Sequence, residues 1–198
     1  MKKLSVIFIL FCSITLLNAQ TEDKTLARVK KVNGVEAYVM CEPLRDYDVI
    51  VDVNTGVKAE SVLTGGIVNK SISGRISQFI NRAAKENANI DAVVYASGKR
   101  IVGIKFKDEG TVETKGIGRV SKMKGMPVFV MCEPLIEYTV LKSKGGGIKW
   151  KSAMTGGIVN NSIEEDVEKI VNKLDGVRNV QAFLFDGTKE GEAIMFNK

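Results

Sequence analysis

Apolar and polar positions along this chain fall into a few short patterns, and each pattern predicts an element. From Val35 onward the run is almost wholly apolar, with Ala37, Val39 and Cys41 alternating with Tyr38 and Met40 until Pro43. A strand apolar on both faces is buried on both, and proline marks its end because it cannot donate to a ladder. Tyr47, Val49, Val51 and Val53 then share one face, while Asp48, Asp52 and Asn54 mostly point away from it. That alternation predicts a half-buried strand. Asn54-Thr55-Gly56 turns into a third candidate strand, Val57 to Leu63, and Lys144 to Gly147 is the matching turn further along.

The period then changes from two to 3.6. Ile72, Ile76, Phe79, Ile80 and Ala83 lie along one face of a helix, and Ile163, Val167, Ile170, Val171 and Leu174 repeat the same spacing. At roughly 1.5–3 kcal/mol for each fully buried aliphatic side chain, such a stripe binds helix to sheet. Ser162 with Glu165 forms a capping box at the start of the second helix. Ser71 caps the first without the reciprocal acid, and Gly74 weakens its opening turn. Two hairpins close the pattern. Ala92–Ala96 and Ile101–Phe106 meet at Ser97-Gly98-Lys99, and Phe183–Phe185 and Ala193–Phe196 meet at Asp186-Gly187-Thr188-Lys189.

Every element occurs twice because the sequence itself does. Gly34–Leu44 reads GVEAYVMCEPL and Gly125–Leu135 reads GMPVFVMCEPL, so that Cys41 meets Cys132 at a displacement of 91. The displacement holds through Thr64–Asn69 and Thr155–Asn160, both TGGIVN, and becomes 90 after the helix, where Ala92 meets Ala182 and Phe106 meets Phe196. A register kept over so many positions predicts a tandem duplication. The expected fold class is α+β: two tandem homologous domains at 28–107 and 119–198, each a mostly antiparallel sheet packed on one helix in the order strands, helix, hairpin. An 11-residue linker, 108–118 (DEGTVETKGIG), lets them dock but not move far apart.

The first residues carry a different message. Lys2 and Lys3 precede an uncharged run from Leu4 to Leu17, and Ala19 offers a small residue before Gln20. This predicts a secretory signal peptide at 1–19, because the run is too short to cross a bilayer. Cys12 falls inside it, with Phe11 where a lipobox wants a small residue. The expected compartment is the periplasm or the cell exterior, with no transmembrane anchor in the mature chain.

Composition narrows the chemistry. The 198 residues contain 29 Lys+Arg, 23 Asp+Glu and no histidine, a net charge of +6 that falls to +4 when Lys2 and Lys3 are removed. Without histidine there is no Ser-His-Asp or Cys-His pair, no His-ligated zinc and no imidazole switch within the chain. Basic and acidic residues are interspersed and form no block of like charge, which argues against nucleic acid as a partner.

Pro43 followed by Tyr47 and Val49, one helix, Asp91-Ala92-Val93 and then Gly103–Phe106 form an order that resembles the small heavy-metal-binding-domain family and related envelope lipoprotein sensors. The resemblance implies a compact fold with a helix running into a "DAV" strand. The second copy departs from it, with Gln181-Ala182-Phe183 in that place. No metal is expected, since neither copy has the paired cysteines or histidines that would hold one.

Four kinds of residue remain as candidates. Cys41 and Cys132 occupy equivalent places; in an oxidising compartment they form either a disulfide or two separately buried thiols. Glu42 and Glu133 are the natural carboxylate pair if the copies face each other. Gly65-Gly66 and Gly156-Gly157 in TGGIVN cradle an anion or serve as turns requiring positive φ. Trp150, between Lys149 and Lys151, is a contact point for a ligand or a packing residue. The leading expectation is a non-enzymatic protein acting by binding or envelope association, with an envelope component or small ligand as partner and no cofactor. Two alternatives stay open: an envelope enzyme using Glu42 and Glu133 between the copies, and a thiol-based redox or metal-binding protein.

Overall fold

The computed structural model describes residues 23–54, 71–95, 100–141, 163–172, 174, 177–187 and 191–197. Among these it is a sheet-rich α+β fold of thirteen strands and two helices. The N-terminal half contributes β1 (Leu26–Val32), β2 (Val35–Val39), β3 (Cys41–Pro43), β4 (Tyr47–Asn54), α1 (Ile72–Lys85), β5 (Ala92–Tyr95) and β6 (Arg100–Phe106). The C-terminal half contributes β7 (Ile117–Val120), β8 (Lys122–Met123), β9 (Met126–Val130), β10 (Cys132–Pro134), β11 (Tyr138–Val140), α2 (Ile163–Asn172), β12 (Ala182–Phe185) and β13 (Gly191–Phe196).

The strands form two layers. The larger runs β4-β6-β5-β2-β9-β12-β13-β11, its halves joined by the antiparallel pair Val39↔Val130. The smaller runs β10-β1-β7-β3 and alternates strands from the two halves. Its centre is Ala27↔Gly118, and the two outer pairings repeat one register: Ala27↔Pro134, Arg28↔Glu133 and Val29↔Cys132 on one side, Pro43↔Gly118, Glu42↔Arg119 and Cys41↔Val120 on the other. Each half thus lends a strand to the other.

This arrangement explains why β2 and β9 are apolar on both faces. Ala37, Val39, Val128 and Val130 turn toward the helices, where Ile72, Ile76, Phe79 and Ile80 and the stripe Ile163–Leu174 are buried in the same cluster. Tyr38 and Phe129 turn the other way and join Ala27, Val29, Val120 and both cysteines, beneath the small layer. The Ser71 hydroxyl accepts from the Gly74 N–H at 3.2 Å, as its capping role requires.

The structure departs from the sequence reading in several places, among them a first strand, β1, that the sequence pattern does not predict and a bulge in β4 that leaves Val49 exposed. The expected strand Ala37–Cys41 is broken at Met40, whose φ of 49° turns the chain out of the large layer and into β3. Met131 does the same at 54° before β10. The sheet is mostly antiparallel, but β5 lies parallel to β2 and β12 parallel to β9, since a helix connection returns the chain in the same direction. Finally, Ile117 and Gly118, read as the end of the linker, belong to β7.

Candidate functional site

Cys41 and Cys132 sit where the two layers meet the line joining the halves. Both are free thiols and both are buried. Met40 and Met131 swing β3 and β10 outward, and strand alternation then points each sulfur inward and the next residue out. A Cβ on Gly118 would stand 2.5 Å from Cys41 Sγ and 2.7 Å from the Glu42 carbonyl oxygen, so only glycine allows this approach. The neighbouring Cys41 thiol first, and then burial, hold the Cys132 thiol well above its ordinary pKa. An activated nucleophilic thiol has the opposite character: exposed and with a lowered pKa.

Glu42 and Glu133 follow those cysteines and face outward. Each accepts from a tyrosine of its own half: Tyr47 Oη donates to Glu42 Oε1 at 2.7 Å, and Tyr138 Oη donates to Glu133 Oε2 at 3.0 Å. Burial first, and then these bonds, push both phenols up to about 12. Lys30 Nζ lies 3.7 Å from Glu133. β1 and β7 stand between the two carboxylates, a lateral step of about 14 Å at ~4.8 Å per strand. Alternation turns the cysteines to the interior and the carboxylates to the outer face, where Glu42 and Glu133 do not converge.

Gly65, Gly66, Gly156, Gly157 and Trp150 lie outside the described residues, as do the expected signal peptide at 1–19, the expected strand Val57–Leu63 and the expected Ser162 cap. Among the described residues no group of three or more Cys, Asp or Glu side chains gathers as metal ligands.

The feature the sequence reading passed over is a polar cluster in the N-terminal half. The Arg45 guanidinium lies over the Phe106 ring, its Cζ 3.4 Å from the centroid, and its Nη2 donates to Glu36 Oε2 at 3.1 Å. Tyr38 Oη donates to the same oxygen at 2.7 Å. The Arg45 side chain is only 8% exposed, and its Nε–H has no partner among the described residues. Arg45 Nη1 reaches the Glu109 carbonyl at 3.4 Å, so the cluster also fastens the segment that joins the halves. In the C-terminal half, 91 residues on, Glu36, Tyr38 and Arg45 are replaced by Pro127, Phe129 and Ile136. Ring geometry is unchanged: Tyr38–Phe106 and Phe129–Phe196 both stand at 6.3 Å and 73°. Comparing the two copies position by position exposes this joint polar-to-apolar change.

Beside the cluster opens a cleft of about 630 Å³. Arg45, Lys107 and Lys115 supply positive charge, Glu36, Asp91, Asp108 and Glu109 negative charge, and Val35, Ile90 and Phe106 an apolar floor. Such a lining suits a small polar molecule carrying both signs of charge better than an acyl chain.

No family model, no curated protein and no solved structure matches this chain. Among the described residues no helix is long and apolar enough to cross a membrane.

Proposed function

We propose that this chain is an exported, non-enzymatic binding protein built from two tandem copies of one α+β unit, with its binding site in the cleft beside Arg45. The carrying observation is the asymmetry of that cleft. Position for position, the second copy has proline, phenylalanine and isoleucine where the first has Glu36, Tyr38 and Arg45, a buried guanidinium beside lysines and carboxylates. A polar departure confined to one of two alike cores is costly unless it is used, because burying charge opposes folding. The reciprocal register around Ala27↔Gly118 supports common descent of the copies, in line with the displacement of 91 in the sequence. The Lys2-Lys3 start, the short apolar run and Ala19 support export to the periplasm or beyond, and the family resemblance is of the same envelope-bound kind.

Thermal unfolding of the mature chain against a panel of small zwitterions, including amino acids and short peptides, tests the binding reading. A ligand of the folded state stabilises by RT ln(1 + [L]/Kd), about 2.7 kcal/mol at a hundredfold excess over Kd. The expected result is a concentration-dependent rise in Tm that a Lys107→Ala/Lys115→Ala variant loses. A rise unchanged in that variant, or none with any member of the panel, would contradict the assignment. Export is tested separately: the exported protein should begin at Gln20 or within a few residues, and an intact Met1 would overturn it.

A further inference from the structure

We propose that Asp91 sets the specificity of the cleft by receiving the ammonium end of its ligand, which is therefore an amino acid or short peptide with a free amine. The inference rests on the cleft reading above and adds which end of the ligand is obligatory and what holds it. Asp91 and Gln181 are the same position in the two halves, at the displacement of 90, and they do the same structural work. The Asp91 N–H donates to the Ile104 carbonyl at 2.8 Å, and the Gln181 N–H donates to the Ile194 carbonyl at 2.9 Å. Asp91 Oδ2 accepts from the Phe106 N–H at 3.0 Å, and Gln181 Oε1 accepts from the Phe196 N–H at 3.2 Å. A neutral amide thus suffices to fasten the last residue of β6 or β13. The charge on Asp91 is surplus to that work. So is its second oxygen, Oδ1, which has no partner among the described residues.

The charge balance of the cleft points the same way. Arg45 is neutralised by Glu36, and Lys107 Nζ lies 3.3 Å from Asp48 Oδ1. Among the described residues, Lys115 is then the one cation lining the cleft without a carboxylate partner, against Asp91, Asp108 and Glu109. The remainder is negative, and a cleft of that sign draws in a cation. An ammonium brings N–H donors to Asp91, which can only accept, and the carboxylate end of a zwitterion falls to Lys115. The second half keeps neither charge at the matching places: Gln181 stands for Asp91, and Asn197 for Lys107.

Thermal unfolding of the mature chain with glycine, leucine, glutamate and glycylglycine, each beside its N-acetyl form, tests this. Acetylation keeps the carboxylate and removes the positive charge. The free amines should raise Tm and the acetylated forms should not. Asp91→Asn keeps an oxygen for the Phe106 N–H, so its ligand-free Tm should equal the parent's. The free amines should bind it about ten- to a hundredfold more weakly, the worth of a hydrogen bond to a charged group. Acetylated forms that raise Tm as much as the free amines, or an Asp91→Asn protein that binds the amines as the parent does, would overturn the proposal. Either result leaves the cleft reading standing when the rise is still lost in Lys107→Ala/Lys115→Ala, and removes both when it is not. No rise with any of these probes would overturn both as well. If Asp91→Asn lowers the ligand-free Tm, the acetylated pairs on the parent chain decide alone.

Discussion

Arg45 and Glu36 show how strongly one buried charge depends on another. With its partner present, the guanidinium is neutralised, stacked on Phe106 and tied to the linking segment. Glu36→Ala removes the counter-charge and leaves Arg45 buried, so the expected loss is about 3–5 kcal/mol, read from the urea midpoint. Replacing the set together, as Glu36→Val, Tyr38→Phe and Arg45→Ile, should recover most of that loss, because the other half is packed in this apolar way. Asp23 gives a second expectation. Its carboxylate accepts from the Thr25 hydroxyl and N–H, and also from Arg119, which together hold it at about 2. A carboxyl lowered from 3.8 stabilises the fold above its unfolded pKa, and the contribution is lost as pH falls through about 2. Asp23→Asn should therefore show a shallower loss of stability between about pH 4 and pH 2 than the parent. The sign is reversed for Tyr47 and Tyr138, raised from 10.0 to about 12 by burial and by Glu42 and Glu133. Their contribution is full below pH 10 and lost as pH rises toward 12, so ionisation of these two, followed by tyrosinate absorbance, should coincide with alkaline unfolding.

Elements were legible where one periodicity settled the matter. All five members of the α1 stripe and the four that fall in α2 are buried, because a 3.6-residue period has only one way to face a sheet, while Leu174, read into the second stripe, is buried in the turn after α2. Ile76→Ala in α1 should cost about 2–5 kcal/mol, since Ile76 is fully buried in that cluster, whereas Ser71→Ala should cost only about 1 kcal/mol through the lost cap; urea denaturation separates the two. The strands were less legible, and for identifiable reasons. Asn33-Gly34 is a strong hairpin signal that joins β1 to β2, with φ of 50° and 82°, yet the Lys-rich β1 hides its own alternation. The break at Met40 leaves no mark in composition, because methionine is an ordinary strand residue. Burial of the cysteines as free thiols was likewise only one of two readings: spacing in sequence says nothing about which strands a partner half will place between the two sulfurs. Arg45 was missed because a single arginine after Pro43-Leu44 looks like a surface charge until the other half is laid beside it.

At the scale of the molecule, the small layer decides behaviour. β1 completes its ladders with β7 and β10, and β3 with β7, so neither half has a finished second layer of its own. A unit of this size buries too little surface to be robust alone, and here its missing layer is the other half. The central claim is therefore that the two halves unfold as one. Native-state hydrogen exchange of the full chain in increasing urea measures this directly, by comparing amides in β2 and β5 with those in β9 and β12. The account predicts that the most protected amides of both pairs open with the same free energy and the same urea dependence, equal to global unfolding. Opening of one pair at a clearly lower free energy, with the other still closed, would mean two independent domains and would contradict it.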